Sequence, residues 1–284
     1  MSGRFVEKGM KFVFLITACV SILSVILICL FLFVNGVPAI GKIGFFSFLT
    51  GIAWKPGQGL YGIAPMILAS LYVTAGAIIM GVPLGVLTAV FLAKFCNKKI
   101  HRFFKQAVLL LAGIPSVIYG FFGLVLLVPL TRTLFAGTGK SILTASIILG
   151  IMILPTIISV SEAALRAVPS HYYEGALALG ASHEYSVFFT VLPAAKSGVM
   201  ASIILGVGRS IGETMAVIMV AGNQAVIPDS LFHGVRTLTA NIVLEMGYAV
   251  DLHREALIAT AVVLFVFILI INMLFSLLKR GQST

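Results

Sequence analysis

The sequence predicts an all-α polytopic membrane protein with six transmembrane helices. Hydrophobic residues make up 60% of the 284-residue chain and charged residues only 10%, and the mean hydropathy is +1.14. A soluble domain is about half apolar and about a quarter charged, so the composition excludes an ordinary soluble protein. The length suits one helical membrane domain, and we expect no separate soluble catalytic domain.

Six stretches are long and apolar enough to cross a bilayer, which takes about 20 helical residues. They are residues 12–34, 64–95, 104–130, 141–165, 197–221 and 256–278. The second is too long for one straight crossing, so we expect a tilt or a bend near residues 81–83. The first is longer than a typical signal-peptide core and lacks a small-x-small cleavage site, which indicates a retained helix.

Three prolines, Pro83, Pro115 and Pro155, fall within the predicted spans, and Gly113 and Ile114 extend the interruption at Pro115. Proline removes a backbone donor and bends a helix. Membranes tolerate it where neighbouring helices or water satisfy the freed carbonyl groups. We therefore expect all three in the packed interior of the bundle, either as ordinary kinks or as points of gating.

Lysine and arginine are distributed unequally between the two sides of the predicted spans. One side carries twelve, at Arg4, Lys8, Lys11, Lys94, Lys98, Lys99, Arg102, Lys105, Arg166, Lys196, Lys279 and Arg280. The other carries six, at Lys42, Lys55, Arg132, Lys140, Arg236 and Arg254. Because cytoplasmic loops are enriched in these residues, both termini and residues 174–193 are predicted to be cytoplasmic. The net charge of +10 follows the spans rather than one soluble face, which argues against nucleic-acid binding.

Two longer segments are predicted on the other side. Residues 35–62 contain the turn-forming run from Trp54 to Gly59, and the whole segment is predicted to be rich in turns. Residues 223–255 include Leu238, Ile242 and Leu244, which favour a short interfacial helix.

A polar segment at residues 174–193 separates the fourth and fifth predicted spans. It cannot lie in lipid, because unpaired polar groups there cost several kcal/mol each. Five residues stand at the spacing E-A-A-x3-G-x9-I-x-L-P, namely Glu174, Ala176, Gly180, Leu192 and Pro193. Gly175 and Thr190 depart from that pattern. The segment resembles the EAA loop of ABC-importer permeases, which forms a short helix in a groove of a cytoplasmic ATPase. The resemblance implies that these five residues and Gly175 couple the chain to such an ATPase.

Arg209 and Glu213 lie in the fifth predicted span. Arg209 is twelve residues past Ser197, about 18 Å along a helix and close to the bilayer centre. An arginine there costs about 2.5–3.5 kcal/mol and needs a partner or a water-filled path. Glu213 follows one helical turn later, which predicts an intrahelical ion pair. The pair is either a structural clamp or a means of attracting an oxyanion, because a guanidinium presents a planar fork of donors.

Residues 208–215 are similar to the G-R-x-x-G-E-T-M signature of the PstC family of phosphate-specific permeases, and residues 113–116 and 119–120 also fit it. The likeness begins near Ala64, which divides the chain into residues 1–63 (N-terminal segment, first helix and outer loop) and a permease domain at 64–280. The resemblance implies a type I ABC importer fold, MetI-like, in the bacterial inner membrane. It also implies that Arg209, Ser210, Glu213 and Thr214 line a path for phosphate.

The same resemblance implies a set of partners. They are a PstA-like second permease in a heterodimer, two PstB-like ATPases that bind ATP and magnesium, a PstS-like phosphate-binding protein, and the lipid bilayer. We expect no catalysis, no metal site and no cofactor on this chain, because it offers no paired carboxylates, metal-ligand spacing or activated nucleophile. Three alternatives stay open: another oxyanion such as sulfate or molybdate, the PstA-type position, and a secondary transporter with Glu213 as proton carrier.

Overall fold

The computed structural model describes residues 2–135 and 137–280, which are mostly helical. The helices are α1 (Ser2–Ile43), α2 (Phe45–Thr50), α3 (Ala64–Val90), α4 (Lys98–Gly113), α5 (Ser116–Phe122), α6 (Val128–Phe135), α7 (Ile142–Ala167), α8 (Ser170–Ala178), α9 (His183–Ser186), α10 (Leu192–Ala194), α11 (Lys196–Gly212), α12 (Met215–Val220), α13 (Leu238–Glu245) and α14 (Asp251–Arg280). Wide π-helical turns follow α3 (Phe91–Phe95), α5 (Gly123–Leu127) and α9 (Val187–Val191). Strands β1 (Trp54–Lys55) and β2 (Leu60–Tyr61) form an antiparallel hairpin around a 3-10 turn at Pro56–Gln58.

Five continuous helical stretches are long and apolar enough to cross a membrane. They are Gly9–Ile43, Ala64–Phe95, Ser116–Phe135, Ile142–Ala167 and Asp251–Leu274. A sixth candidate is a broken span, in which His183–Ala194 meets Lys196–Gly212 at 70°. The described residues therefore hold five or six candidate spans, which confirms the predicted all-α polytopic fold.

The third predicted span has the wrong start. Residues 104–113 belong to α4, a separate helix, and the candidate span begins at Ser116. Proline disfavours the helical conformation of the residue before it, and Ile114 is accordingly extended, with φ −72° and ψ 125°. Pro115 thus ends one helix and precedes the next instead of bending a single one.

The predicted outer segment at residues 35–62 is only partly rich in turns. Helix α1 continues through Pro38 to Ile43, because this end packs on α14, with Ala39 fully buried. The run from Trp54 to Gly59 does form the tight hairpin turn. The short helix predicted near Leu238 is confirmed as α13, and its predicted position at the membrane interface stays a prediction.

The three prolines differ in burial. Pro155 lies buried inside α7, as predicted. Pro83 lies within α3, which continues unbroken through residues 81–83, but Pro83 is exposed. Pro115 is exposed as well. The predicted interior location is therefore wrong for Pro83 and Pro115 within this chain.

Helix α7 is the centre of the bundle and packs against both α3 and α11. Small residues make the contact with α3 close: a Cβ added at Gly81 would lie 2.7 Å from the Ile153 side chain, and one at Gly85 would lie 2.7 Å from Ile157. A Cβ at Gly206 of α11 would lie 3.2 Å from the other side of Ile157. Membrane helices associate through small residues because lipid leaves packing as the main driving force.

Two clusters of buried residues mark the two ends of the molecule. At the hairpin end, β1, β2 and the start of α3 pack on α13 and the start of α14. At the opposite end, the ends of α3 and α7 pack on residues 187–199. Lys42 pairs with Glu255 at 2.6 Å and the rings of Phe33 and Phe265 lie 6.0 Å apart. Helices α1 and α14 are therefore antiparallel neighbours that both extend from the hairpin end toward the opposite end.

Candidate transport site and coupling segment

The fifth predicted span breaks in its middle instead of continuing to residue 221. Helix α11 ends at Gly212, and Glu213 is extended, with φ −70° and ψ 133°. The Glu213 carbonyl accepts a hydrogen bond from the Thr239 hydroxyl at 3.1 Å. The chain turns helical again only at Met215. Such non-helical backbone is tolerated at membrane depth where protein or a water-filled cavity surrounds it.

The break changes what Glu213 does. Its Oε1 atom accepts hydrogen bonds from the backbone N–H groups of Thr214, at 3.1 Å, and Ala216, at 3.2 Å. The first N–H groups of a helix lack intrahelical partners and attract a carboxylate. The predicted ion pair of Glu213 with Arg209 does not occur among the described residues, because that geometry requires an unbroken helix through both positions.

Arg209 lies near mid-span, as predicted. Its Nη1 donates to the Thr156 hydroxyl at 3.4 Å. Thr156 is 14 residues from the start of α7 and 11 from its end, about 21 Å and about 17 Å along the helix. Thr156 was not among the residues predicted for this site; its one signal in the sequence is that a polar residue follows Pro155 inside an apolar span.

Arg209 points to an open face of α11. Leu205, Gly208, Arg209 and Gly212 recur at helical spacing and are exposed or half-buried. Apart from the adjacent residues and backbone of α11 itself, no atom of the described residues lies within 4 Å of a Cβ added at Gly208 or at Gly212. An arginine at this depth is too costly to leave against acyl chains, so this face requires water, an anion or another protein.

The other two predicted path residues lie differently. Ser210 is buried on the packed side of α11, and its hydroxyl has no hydrogen-bond partner within the part of the chain that the structure describes. Thr214 is half-buried, and its hydroxyl donates to the Gly212 carbonyl at 3.2 Å. The structure therefore brings Arg209, Thr156 and the two glycines together and turns Ser210 away from them.

The segment at residues 174–193 is a compact helical elbow. After α8, Gly180 adopts φ +86°. The N–H of Ala181 bonds to the Ala176 carbonyl and that of Gly180 bonds to Leu177, which is the Schellman arrangement that ends helices at a glycine. A residue with a side chain would be strained at that φ, which explains physically why the motif has glycine there.

The surface of this elbow is open to a partner. Glu174 and Gly175 are exposed, Ala176 is half-buried, and Leu179 is 91% exposed. Pro193 is exposed and Leu192 is half-buried against the core. Large apolar side chains left in solvent indicate an interaction surface when they are grouped.

The inner side of the elbow is fastened to the bundle. Val187 and Val191 are fully buried against the ends of α3 and α7. The Tyr173 hydroxyl lies 2.7 Å from Nδ1 of His183, and the Phe95 ring packs edge-on against His183 with 4.6 Å between centroids. A displacement of the elbow must therefore move the helices to which it is attached.

The chain is similar to proteins that all belong to one family of transport components. Residues 81–284 match the family described as binding-protein-dependent transport system inner membrane component. The chain is 38% identical over 261 residues to the phosphate transport system permease protein PstC of Mesorhizobium japonicum, covering 84% of this chain and 80% of the relative. It is 36% identical over 279 residues to the probable ABC transporter permease protein YqgH of Bacillus subtilis, covering 95% of this chain and 89% of the relative.

Solved structures share the fold at low sequence identity. The MetNI methionine ABC transporter in an inward-facing conformation matches with a TM-score of 0.64 at 21% identity, over 82% of this chain and all of that one. A bacterial ABC transporter involved in import of the acidic polysaccharide alginate matches with a TM-score of 0.63 at 16% identity, over 98% of this chain and 99% of that one. The domain boundary predicted at residue 64 stays a prediction.

Proposed function

The chain belongs to the family of binding-protein-dependent transport system inner membrane components, and from that premise we propose that it is the channel-forming permease of an ATP-driven phosphate importer. Relatives named phosphate transport system permease protein PstC, at 32–38% identity over most of the chain, support phosphate as the cargo. The chain itself is a transport subunit without catalysis. ATP and magnesium belong to a partner ATPase, and this chain binds no cofactor.

The observation that carries this proposal is the open, mid-span position of Arg209. A guanidinium has five N–H donors and keeps its charge at any working pH. One donor is directed to Thr156, and the remaining ones are available for the oxygens of an anion. Gly208 and Gly212 leave space beside the guanidinium for such an anion. The carboxylate of Glu213 accepts hydrogen bonds from backbone amides, so it does not pair with the Arg209 guanidinium.

The exposed face of α11 supports a second permease as partner. A PstA-like subunit placed against Leu205, Gly208 and Gly212 would shield Arg209 from lipid and enclose a path between the two chains. A PstS-like protein would deliver phosphate at the hairpin end. Two PstB-like ATPases would contact the elbow at the opposite end through Glu174, Gly180 and Leu179.

The proposed location is the inner membrane with both termini cytoplasmic. The Lys and Arg bias supports this orientation. The arrangement of the terminal helices also supports it, because α1 and α14 both extend toward the end that carries the elbow. Arg4, Lys8, Lys279 and Arg280 contribute to the count, although their side chains lie outside the described part of the chain.

The elbow connects directly to the anion site. Residues 187–194 lead into α11 through the 70° bend, and Arg209 lies near the far end of that same helix. ATPase closure that pushes on the elbow would therefore shift α11 and expose Arg209 alternately to the two sides. Because Val187 and Val191 are clamped by α3 and α7, these helices would move with it.

The decisive experiment measures phosphate uptake by the complete transporter with Arg209→Ala. A charge-assisted hydrogen bond is worth about 1.5–3 kcal/mol, so uptake should fall by about 10- to 150-fold. Arg209→Lys should keep part of the activity, because the charge remains but the fork is lost. Arg132→Ala, an exposed arginine at the hairpin end, is the matched control.

Two readouts make the result specific. Co-purification of the ATPase with Arg209→Ala should be unchanged, which separates lost transport from lost assembly. Competition by sulfate and molybdate identifies the oxyanion, and uptake that follows a pH gradient without ATPase would indicate a secondary transporter instead. Normal phosphate uptake by a correctly inserted Arg209→Ala protein contradicts the proposal.

A further inference from the structure

A cavity of about 430 Å³ lies at the end of the molecule that carries the elbow. It is bounded by the first half of α4, the wide turn after α3 and the end of α7. Its basic lining residues are Lys98, His101, Arg102, Lys105 and Arg166. None of these residues belongs to the Arg209 face or to the elbow, so the proposed transport function leaves this cavity without a role.

Positive charge is in excess in this cavity. Four of its side chains are cationic, two from lysine and two from arginine, and Glu162 is the one carboxylate within salt-bridge distance of them in the described part of the chain. Four against one leaves an excess of three positive charges. Glu162 is 3% exposed, and its two oxygens already accept hydrogen bonds from three of the basic side chains. It therefore cannot also neutralise Lys98 and Arg102.

The helix dipole adds to the same field. Lys98 and Arg102 lie in the first two turns of α4, a helix of 16 residues. The N-terminus of a helix carries roughly half a positive charge, which favours anions there and disfavours cations. Two independent sources of positive potential, the side chains and the backbone, thus meet at one concave surface, where Glu162 balances only part of the positive charge.

The opposite face of α4 is apolar and exposed. Ile100, Phe103 and Leu110 are 42%, 69% and 74% exposed, whereas the four basic residues of α4 that line the cavity share the face turned toward α7. Lys99 is exposed outside the cavity. A helix with one basic and one apolar face lies in the plane of the membrane interface. The cavity is therefore at the depth of the lipid phosphates, where basic clusters attract anionic headgroups.

We propose that this cavity binds a phosphate group, carried by an anionic phospholipid or present as inorganic phosphate. The shared chemistry is a tetrahedral oxyanion that accepts hydrogen bonds from Lys98 and from the fork of Arg102. Bound there, it joins α4 to α7, because Arg166 on α7 faces the same space. The interfacial depth of α4 favours the lipid headgroup as the source.

The test uses the full-length chain in nanodiscs of phosphatidylcholine. One arm adds phosphatidylglycerol stepwise and counts retained lipids by native mass spectrometry. The other arm adds inorganic phosphate and follows the thermal unfolding midpoint. The variant is the double change Lys98→Gln and Arg102→Gln, because both residues are exposed and neither pairs with Glu162. The matched control, Lys55→Gln with Arg254→Gln, removes two exposed charges at the hairpin end.

The expected result is saturable phosphatidylglycerol binding that the Lys98 and Arg102 variant weakens by about tenfold or more and the control leaves unchanged. Added salt should also weaken the binding of phosphatidylglycerol, because salt screens the charges. If only inorganic phosphate shows this dependence, the site is confirmed with the free anion as its ligand. Phosphate binding that is unchanged in both double variants takes place at a site other than this cavity. The proposal is overturned if neither ligand distinguishes the variant from the control.

Discussion

Two buried glutamates at opposite ends of the molecule have similar partners and different surroundings. At the hairpin end, Glu245 accepts hydrogen bonds from the Trp54 indole and His253, both at 2.8 Å, and pairs with Arg236. At the opposite end, Glu162 lies 2.6 Å from His101 and 2.8 Å from both Lys105 and Arg166.

The difference lies in what surrounds each carboxylate. The Arg236 and His253 side chains are only 19% and 14% exposed, and one permanent cation meets one anion in a closed network. The Lys105 and Arg166 side chains are 32% and 47% exposed, and they line an open cavity with surplus positive charge. The first glutamate therefore fastens the fold, whereas the second holds cations at the cavity for which we propose a phosphate ligand.

The largest expected effect is on stability at the hairpin end. Glu245→Gln leaves Arg236 buried without its counter-charge, which should lower the free energy of unfolding by about 3–5 kcal/mol. Glu162→Gln should lower it less, by about 1–3 kcal/mol, because water reaches the cations it releases. Unfolding of the purified chain in detergent measures both losses of stability. The control is Asp229→Asn, which removes an exposed carboxylate that pairs with His233. Equal losses for Glu245→Gln and Glu162→Gln would erase the distinction between the two ends.

A smaller effect, on partner binding rather than stability, is expected at the elbow. Leu179→Asp places a charge at a site that is 91% exposed, so folding should be unchanged. If Leu179 is an anchor for the ATPase, its loss should weaken ATPase binding by about 30-fold, the effect of a residue worth about 2 kcal/mol. Co-purification and titration with the ATPase measure this. Leu231→Asp, exposed at the hairpin end, should leave binding intact, and an equal loss for both variants would refute an elbow-specific contact.

The smallest expected effect is a pH dependence that belongs to Glu245. Burial raises the pKa of this carboxyl, but hydrogen bonds from Trp54, His253 and Arg236 outweigh it and hold the pKa below its ordinary value of 4.5. A lowered folded-state pKa stabilises the protein above the unfolded-state pKa, and this contribution is lost as the pH falls through the folded-state pKa. Unfolding midpoints measured from about pH 5 to about pH 3 should therefore fall more steeply for the native chain than for Glu245→Gln. Parallel curves would show that the network does not act through this carboxylate.

Local features of the chain could be predicted where residues close in sequence are sufficient to determine them. Gly180 ends α8 because its neighbours supply the carbonyls of the turn, and the depth of Arg209 follows from counting residues along a span. The Glu162 and Arg166 pair follows in the same way from a spacing of four residues. Apolar length alone predicted six spans, and four of them correspond to continuous candidate spans, whereas the third begins later, at Ser116, and the fifth is broken.

The sequence by itself determined an all-helical membrane protein, its polar elbow and the approximate depth of its central arginine, because hydropathy, turn chemistry and helical rise act over neighbouring residues. Only the tertiary structure decided that α11 stops at Gly212, that Glu213 caps α12 instead of pairing with Arg209, and that Thr156 is the arginine's neighbour. It also decided that α4 brings His101 and Lys105 to Glu162, 61 and 57 residues away. These features depend on contacts between residues distant in sequence, and no local pattern specifies which distant groups will meet.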